Sequence, residues 1–365
     1  MNSPTSIIST LQEYHLLGIP EQIDYKKFYL YSIITHSTAI EGSTVTEIEN
    51  QLLFDEGITA PGRTLQEQMM NLDLKAAYEE GTRLAQQHTP YSVDMLCRLS
   101  SIVLKNTGST YNTPLGSFSA AKGELRKLNV TAGFGGRSYL AFQKVPQALH
   151  NFCLWLNHIR TNTPKGDILA WYRLSFEAHY RLVTIHPWAD GNGRMSRLVM
   201  NMLQFEQNLI PVKVLKEQKA AYIEALNKTR DSKDINIFCD MMLQMHNSNL
   251  QNEIAEFKAS MAQETMPSAP ADVTQSGTHV TQNVTQSSTN DSKAATYMLT
   301  PRQQQILQMM QTDGSVSAST MAVRLGFTVR TIRRDIETLR KHYTIRWIGS
   351  SKQGHWQILP QNIEQ

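Results

Sequence analysis

Residues 186–197 read His-Pro-Trp-Ala-Asp-Gly-Asn-Gly-Arg-Met-Ser-Arg and hold the densest chemistry of the 365-residue chain. Before this stretch, residues 168–185 have apolar side chains at helical spacing, which Pro187 brings to an end. After it, helical spacing resumes. The stretch is therefore predicted to be a glycine-containing loop between two helices, with Asn192 and Gly193 at the N-terminus of the second helix.

The residue types in this loop suit the binding of phosphate groups. Backbone N–H groups and the dipole at a helix N-terminus favour an anion, and glycines let the backbone approach it closely. Arg194 and Arg197 are three residues apart, so they share one helix face and can reach the same polyphosphate. Asp190 offers the hard oxygen that Mg²⁺ prefers, and His186 is fit to accept a proton from a hydroxyl. The alternative is a plain turn in which His186 only caps a helix.

The rest of residues 1–258 is predicted to be mostly helical. The segments with apolar residues at helical spacing are 65–86, 93–105, 146–159, 168–185, 195–207 and 217–228. Residues 125–142 lack that period and carry β-favouring residues, so we expect a β-hairpin with its turn around Gly135-Gly136. Residues 260–296 are rich in Ser, Thr, Gln and Asn, which predicts a flexible linker.

Composition narrows the class of protein. A hydrophobic fraction of 41% and a charged fraction of 18% allow a sizeable core and exclude a wholly disordered chain. No apolar run of about 18 residues is present, so no membrane-spanning helix and no membrane partner are expected. Three scattered cysteines suggest neither a disulfide framework nor a zinc site. The first residues lack the pattern of a signal peptide, so a cytoplasmic protein is expected.

The C-terminal segment is basic. Residues 299–359 hold nine Lys and Arg against three Asp and Glu, which favours a polyanionic partner. Their patterning predicts three short helices and a two-stranded hairpin, the arrangement of a winged helix-turn-helix. The expected elements are helices at about 301–311 and 317–325, a third helix from about Thr328, and strands at about 343–348 and 354–359. In the third helix, four side chains are candidates for DNA contact: Arg330, Thr331, Arg333 and Arg334.

The loop sequence HPWADGNGRMSR resembles the signature of the Fic (filamentation induced by cAMP) family, H-[PF]-[FW]-x-[DE]-G-N-G-R-x-x-R. The resemblance extends over about residues 20–245. It implies a mainly α protein with a Fic/Doc-type helical core and a β-hairpin flap, followed by a small α+β winged helix domain. The expected divisions are an N-terminal helical region at 1–110, a catalytic core at 111–258, a linker at 259–296 and a winged helix domain at 297–360.

Most proteins of that family transfer AMP from ATP to a protein hydroxyl. The resemblance assigns His186 to deprotonating a Ser, Thr or Tyr hydroxyl, of a target protein or of the chain itself. It assigns Asp190 to Mg²⁺ on the phosphates and Trp188 to the core beneath the loop. Arg194 would pair with the β-phosphate and Arg197 with the γ-phosphate. The residues implied to bind the nucleotide phosphates are Gly191, Asn192, Gly193, Arg194 and Arg197.

A second resemblance lies upstream, at the end of a predicted helix. Ser37-Thr-Ala-Ile-Glu41-Gly42 resembles the family's inhibitory motif, [ST]-x-x-x-E-[GN]. It implies an N-terminal inhibitory helix whose Glu41 carboxylate pairs with the last arginine of the signature. Otherwise Glu41-Gly42 is only a helix end. Thr44 with Glu47 is predicted to form the capping box of the next helix.

Several functional hypotheses remain at this stage. Residues 317–340 resemble DeoR-type winged helices, which implies DNA binding, while a protein-docking or dimerising module is the alternative. In that alternative, the arginines form a solvated face. Pairing of Arg333 with Asp335 or Glu337 is a separate interpretation of the same charges. The leading hypothesis is an autoinhibited, Mg²⁺-dependent protein adenylyltransferase. Its competitors are a DNA-binding regulator with a nucleotide-sensing Fic core, and an enzyme that removes AMP or uses another nucleotide. Self-association is left open.

Overall fold

The computed structural model describes residues 4–132, 136–265, 301–325, 329–340, 343–348 and 355–360. The chain divides into two compact units, Met1–Ala259 and Ser260–Gln365. The α-helices that begin in the first unit are α1 (Pro4–Leu16), α2 (Tyr25–Ile40), α3 (Glu47–Glu56), α4 (Leu65–Gln86), α5 (Val93–Val103), α6 (Val145–Asn162), α7 (Ile168–Ile185), α8 (Asn192–Glu206), α9 (Lys219–Ser232) and α10 (Ile235–Thr265). The predicted mainly α class is confirmed.

Helix α8 is the centre of the first unit. It packs against α2, α4, α5 and α7, and its residues from Arg194 to Gln204 are all buried. A helix that is covered on every side needs partners for its polar groups as well as its apolar ones. Asn201 accepts a hydrogen bond from Tyr78 Oη at 2.7 Å, and Gln204 donates one to Ser175 Oγ at 2.8 Å. The core therefore fixes the axis and rotation of α8.

The start of α3 differs from the sequence prediction. Its capping box is formed by Thr46 and Glu49, not by Thr44 and Glu47. Thr44 instead donates from its backbone N and its Oγ1 to Oε1 of Glu67, at 2.7 and 2.6 Å. The prediction was wrong because a tertiary partner on α4 takes Thr44, and the next Thr-x-x-Glu pattern along the chain starts the helix.

The predicted hairpin at 125–142 is much shorter than a regular one. Thr131 pairs with Ser138 in a single antiparallel bridge, supported by a hydrogen bond from Tyr139 N to Val130 O at 3.0 Å. Gly135, in the predicted turn, lies outside the described residues. A different antiparallel pair, β1 (Thr110–Tyr111) with β2 (Phe118–Ser119), was not predicted. Short 3₁₀ turns complete the unit, at Ala120–Lys122, Phe142–Lys144 and Lys216–Gln218.

Helix α10 runs to Thr265 and includes the first residues that were assigned to the linker. Phe257 packs against the core, and Lys258 Nζ lies 2.5 Å from Glu13 Oε1 of α1, so the end of α10 is supported by α1. The remainder of the predicted linker, up to residue 300, lies outside the described residues. Among the residues described, no helix has the length and apolar character required to cross a membrane.

The second unit has the predicted element order of a winged helix. Its elements are α11 (Pro301–Thr312), α12 (Ala318–Leu325), α13 (Val329–Arg340), β3 (Tyr343–Ile348) and β4 (His355–Pro360). The two strands pair antiparallel, with Trp347 opposite Trp356. Ile332, Ile336 and Leu339 form the buried stripe of α13, as their spacing predicts.

Candidate active site

The loop of residues 186–191 joins α7 to α8 at the edge of the core. His186 ends α7 in a left-handed conformation, with φ 53° and ψ 63°, and its backbone N donates to Leu182 O at 3.1 Å. Gly191 is the residue before α8, which begins at Asn192, so Asn192 and Gly193 lie at the N-terminus of this helix as predicted. The loop therefore brings the imidazole and the N-terminus of α8 to the same edge of the molecule.

The loop is closed by a reciprocal pair of hydrogen bonds. Asn192 Oδ1 accepts from Trp188 N at 3.1 Å, and Asn192 Nδ2 donates to Trp188 O at 2.9 Å. The indole of Trp188 is fully buried, as expected, and donates to Gly123 O at 3.1 Å. The Asn192 amide, which the resemblance places against phosphate, is thus occupied with shaping the loop.

Arg126 is a structural element of the site that sequence reasoning did not assign. It is 2% exposed and donates to His186 O at 2.7 Å, to Leu128 O at 2.8 Å and to Leu140 O. Burial lowers the pKa of its guanidinium. The Gly123-x-x-Arg126 spacing was the available signal, but it does not reveal which carbonyls Arg126 binds. The side chain ties residues 125–142 to the backbone of the histidine.

The imidazole of His186 is held in a form that can accept a proton. Nδ1 lies 3.2 Å from Val183 O, a carbonyl that can only accept, so Nδ1 carries the hydrogen and Nε2 the lone pair. Burial lowers the pKa of His186 to about 4, and the charges of Arg126 and Arg230 act in the same direction. The imidazole is therefore neutral at pH 7.

Arg194 is a buried cation whose hydrogen bonds are incomplete. The residue is 2% exposed, and its Nη2 donates to Asp190 Oδ2 at 3.4 Å. Its Nε and Nη1 are buried and have no hydrogen-bond partner among the described residues. Unmet donors on a buried charge are costly, and an anion would satisfy them.

Arg197 binds the N-terminal motif through two of its nitrogens. Its Nε donates to Ser37 Oγ at 2.8 Å, and its Nη2 donates to Ser37 O at 3.0 Å and to Glu41 Oε1 at 2.6 Å. Burial opposes charge on both partners, but their mutual attraction raises the pKa of Arg197 and lowers that of Glu41. The predicted pairing of Glu41 with the last arginine of the signature is present in the structure.

The Glu41 carboxylate also lies against the first turn of α8. A β-carbon built on Gly193 would be 2.6 Å from Glu41 Oε1 and 3.2 Å from Arg197 Nη1. Only glycine allows this approach without displacing the carboxylate. Glu41 thus occupies space beside the helix N-terminus, where an anion is favoured.

The segment that carries Glu41 is anchored by buried polar groups. Gly42 has φ 107°, a conformation that side chains disfavour, and turns the chain away from α2. Thr38 Oγ1 donates to Asn71 Oδ1 at 2.7 Å, and Asn71 Nδ2 donates to Ser43 Oγ at 3.1 Å. Helix α4 therefore fixes the residues on both sides of Glu41.

Asp190 is the predicted metal ligand. Its carboxylate is 54% exposed, and Oδ1 accepts from Gly191 N at 2.6 Å. The described residues contain no cluster of three or more His, Cys, Asp or Glu side chains that would hold a metal alone. A single carboxylate fits Mg²⁺, which typically takes one or two carboxylates together with substrate phosphates.

The candidate DNA-contact residues lie on α13. Thr331, Arg333 and Arg334 are half-buried, and the side chain of Arg330 lies outside the described residues. The acidic residues beside Arg333 both make ion pairs. Asp335 pairs with Arg302 at 2.5 Å, and Glu337 pairs with Arg340 at 2.6 Å.

Comparison with known proteins gives two family matches. Residues 90–204 match the Fic/DOC family, and residues 302–346 match a helix-turn-helix (HTH) domain. The chain is similar to the protein adenylyltransferase fic-1 of Caenorhabditis elegans, with 25% identity over 236 residues that cover 64% of this chain and 42% of the relative. It is 26% identical over 253 residues to the protein adenylyltransferase Fic of Aedes aegypti, covering 66% of this chain and 46% of that protein. The chain thus spans less than half the length of these curated relatives.

Solved structures support the fold. A Fic domain-containing signaling protein from Bacteroides thetaiotaomicron superposes with a TM-score of 0.58 at 21% identity, covering 70% of this chain and 98% of that one. A Fic family protein from Desulfovibrio desulfuricans G20 superposes with a TM-score of 0.53 at 15% identity, covering 100% of this chain and 98% of that one.

Proposed function

Because residues 90–204 match the Fic/DOC family and residues 302–346 match a helix-turn-helix domain, we propose that the chain is an autoinhibited protein adenylyltransferase with a DNA-binding module. It would transfer AMP from ATP to a Ser, Thr or Tyr hydroxyl of a protein, including itself. The observation that carries this proposal is the buried Arg194, whose unmet donors lie on the same helix turn as Arg197.

The reaction follows from what each group can do. Nε2 of neutral His186 accepts the proton of the attacking hydroxyl, whose oxygen forms a bond to the α-phosphorus of ATP. The bond between the α-phosphorus and the bridging oxygen breaks, and pyrophosphate leaves with that oxygen. No covalent intermediate with the protein is needed, so catalysis consists of positioning and charge stabilisation.

The triphosphate would lie across the first turn of α8. The N–H groups at the N-terminus of α8 lack intrahelical partners, and Gly191 and Gly193 permit the backbone to approach a phosphate. Arg194 would satisfy its free donors on the β-phosphate, and Arg197 would bind the γ-phosphate. Asp190 would hold Mg²⁺, which supplies charge neutralisation to the phosphates when bound.

Autoinhibition would arise from competition for Arg197. In the observed pairing, the Glu41 carboxylate takes the guanidinium donor that the γ-phosphate requires and places negative charge beside it. Because Ser37 also binds Arg197, loss of Glu41 alone leaves the arginine positioned. The wild type is therefore expected to be weakly active, and Glu41→Gly strongly active.

Incubation with labelled ATP tests the proposal. We expect Glu41→Gly protein to incorporate AMP into itself, the wild type to incorporate much less, and Glu41→Gly with His186→Ala to incorporate none. Mass spectrometry should find the added AMP on a hydroxyl side chain. Absence of AMP on the Glu41→Gly protein, with nucleotide binding intact, would favour the alternative of a nucleotide sensor.

The second unit supports a DNA role. Its buried stripe fixes which face of α13 is turned to the core, and arginines lie at the N-terminal end of that helix, where a recognition helix meets base edges. Enzyme and DNA-binding activities are compatible in one chain. Retention of the full-length protein on DNA at low salt, and its loss at high salt, tests this module.

A further inference from the structure

One side chain from the segment at 125–142 lies directly on the proposed base. The ring of Tyr139 stacks on the imidazole of His186, with centroids 3.7 Å apart and planes inclined by 19°. The two rings therefore stack face to face. The sequence gives no signal for it, because the two residues belong to different segments and their approach is a tertiary contact.

Tyr139 is itself held from two sides. Its backbone N donates to Val130 O at 3.0 Å, next to the Thr131–Ser138 bridge. The guanidinium carbon of Arg230, on α9, lies 5.0 Å from the centre of the Tyr139 ring, within the range of a cation–π contact. Helix α9 therefore supports the ring that covers the histidine.

An ion pair strengthens the same attachment. Arg137, two residues before Tyr139, pairs with Asp231, the neighbour of Arg230 on α9. Alternate residues of an extended segment lie on the same side, so Arg137 and Tyr139 reach α9 together. The arm of residues 137–139 is thus attached to α9 by one ion pair and one cation–π contact.

The histidine then has three restraints of different kinds. Val183 O fixes Nδ1, Arg126 holds the backbone carbonyl of His186, and Tyr139 covers a ring face. The Val183 contact fixes the tautomer and one edge of the ring, and the Arg126 contact holds the backbone. A flat aromatic surface at 3.7 Å restrains the ring plane, since tilting the ring would force the two π surfaces into overlap.

We propose that Tyr139 is a positioning residue for His186, which acts through its ring and not through its hydroxyl to hold the imidazole plane. This inference rests on the proposed function only for its kinetic consequence. It deepens that function by assigning the 137–139 arm a role in organising the base, and it makes α9 the support of the arm.

The stack also removes water from the imidazole. Burial is the largest contribution to the lowered pKa of His186. The charged groups that face it are Arg126 and Arg230, which lower the pKa, and Asp190, which raises it. Loss of the Tyr139 ring would hydrate one face of the imidazole and raise its pKa from about 4 toward the ordinary value of 6.5.

Substitution of Tyr139 in the full-length Glu41→Gly protein tests the proposal. Tyr139→Leu removes the aromatic plane, and Tyr139→Phe retains it without the hydroxyl. We expect Leu to lower kcat for AMP transfer about tenfold, part of the ~10²–10⁴-fold that a positioned base contributes, with KM for ATP unchanged within twofold. Phe is expected to leave both constants unchanged. The acid limb of the rate profile should move to higher pH in Leu only.

The titration of His186 supplies a readout that needs no activity. With ¹³C-labelled histidine and a His186→Gln spectrum for assignment, the titration midpoint should rise in Tyr139→Leu and not in Tyr139→Phe. Arg137→Gln, which keeps the ring but removes the ion pair, should raise it less and provides the measurement if the Leu variant unfolds. An unchanged midpoint and kcat in Tyr139→Leu, or equal losses in Leu and Phe, would overturn the proposal. If no variant transfers AMP while the midpoint still shifts, the proposed function fails and the stacking role stands.

Discussion

The carboxylate of Glu41 lies 2.6 Å from Nη2 of Arg197, although 156 residues separate them in the chain. The arginine is nearly inaccessible, whereas the side chain of Glu41 is 33% exposed. The pair is therefore asymmetric. Glu41 can move away toward solvent, whereas Arg197 is fixed by Ser37 and by the packing of α8. An incoming anion would therefore displace the Glu41 carboxylate and bind to Arg197, which stays in place.

This asymmetry predicts selective tightening of nucleotide binding. Glu41→Gly should increase the affinity for ATP about ten- to hundredfold, because a charge-assisted hydrogen bond of ~1.5–3 kcal/mol no longer competes for Arg197. The affinity for AMP, which has no phosphate at that position, should change less than twofold. Isothermal titration calorimetry with both nucleotides measures the difference.

The matched control is Glu21→Gly, at an exposed turn outside the site. It should bind both nucleotides like the wild type. Equal tightening for ATP and AMP in Glu41→Gly would contradict competition at the γ-phosphate and indicate a general opening of the pocket.

Local sequence patterns were sufficient to predict the helices on either side of the loop at residues 186–191. Helix α7 begins and ends where the apolar spacing and Pro187 predicted, at Ile168 and Ile185. The arginines of α8 are buried on the expected helix, and Glu41 reaches Arg197 as the resemblance implied. These features follow from periodicity and from short motifs, which a single sequence displays.

Features that depend on tertiary contacts were not predicted. Glu67 on α4 takes Thr44 away from the expected capping box, and the amide of Asn192 binds the Trp188 backbone. The stack of Tyr139 on the imidazole is of the same kind. In each case the partner comes from a different turn or segment of the chain, and competing hydrogen bonds or ring contacts decide the outcome.

The two hydrogen bonds between the Asn192 amide and the Trp188 backbone predict a large loss of stability when the amide is removed. Asn192→Ala would leave the N–H and the carbonyl of Trp188 buried without partners, at ~1–3 kcal/mol each. We expect the free energy of unfolding to fall by about 2–4 kcal/mol, measured by urea denaturation. Asn151→Ala, at an exposed position of α6, should change it by less than about 0.5 kcal/mol. Similarly small losses of unfolding free energy in both variants would show that the loop does not need the hydrogen bonds of Asn192.

Buried histidines predict sensitivity to acid. Burial lowers the pKa of His179 and of His246 to about 3, and the nearby charges of Arg197 and Lys213 respectively add to the effect. Unfolded histidine has an ordinary pKa of 6.5, so between pH 6.5 and 3 the unfolded state binds more protons. The stabilisation from neutral burial is therefore complete above pH 6.5 and is lost as the pH falls toward 3.

Thermal unfolding at pH 7.5 and pH 5.0 measures this loss. The Tm of the wild type should fall at pH 5.0, and that of His246→Gln should fall less, because glutamine does not take up a proton. Glutamine can also keep the hydrogen bond that His246 Nε2 makes with Tyr172 Oη, at 3.1 Å. His158→Gln, at an exposed position of α6, should show the full wild-type fall. An equal fall in His246→Gln would exclude His246 as a source of the pH dependence.

The arginines of α13 predict the salt dependence of DNA binding. Asp335 of α13 is held by Arg302 of α11, and Arg333 and Arg334 are half-buried on the same helix. If each arginine meets a phosphate, Arg333→Gln and Arg334→Gln should each reduce the slope of log K against log salt by about 1, with little change in sequence preference. Fluorescence anisotropy of the full-length protein on labelled duplexes at several salt concentrations provides the slopes. Lys165→Gln, at an exposed turn of the first unit, should leave the slope unchanged. Slopes identical to that of the wild type in both arginine variants would rule out phosphate contacts by this helix and favour a protein-docking role for the second unit.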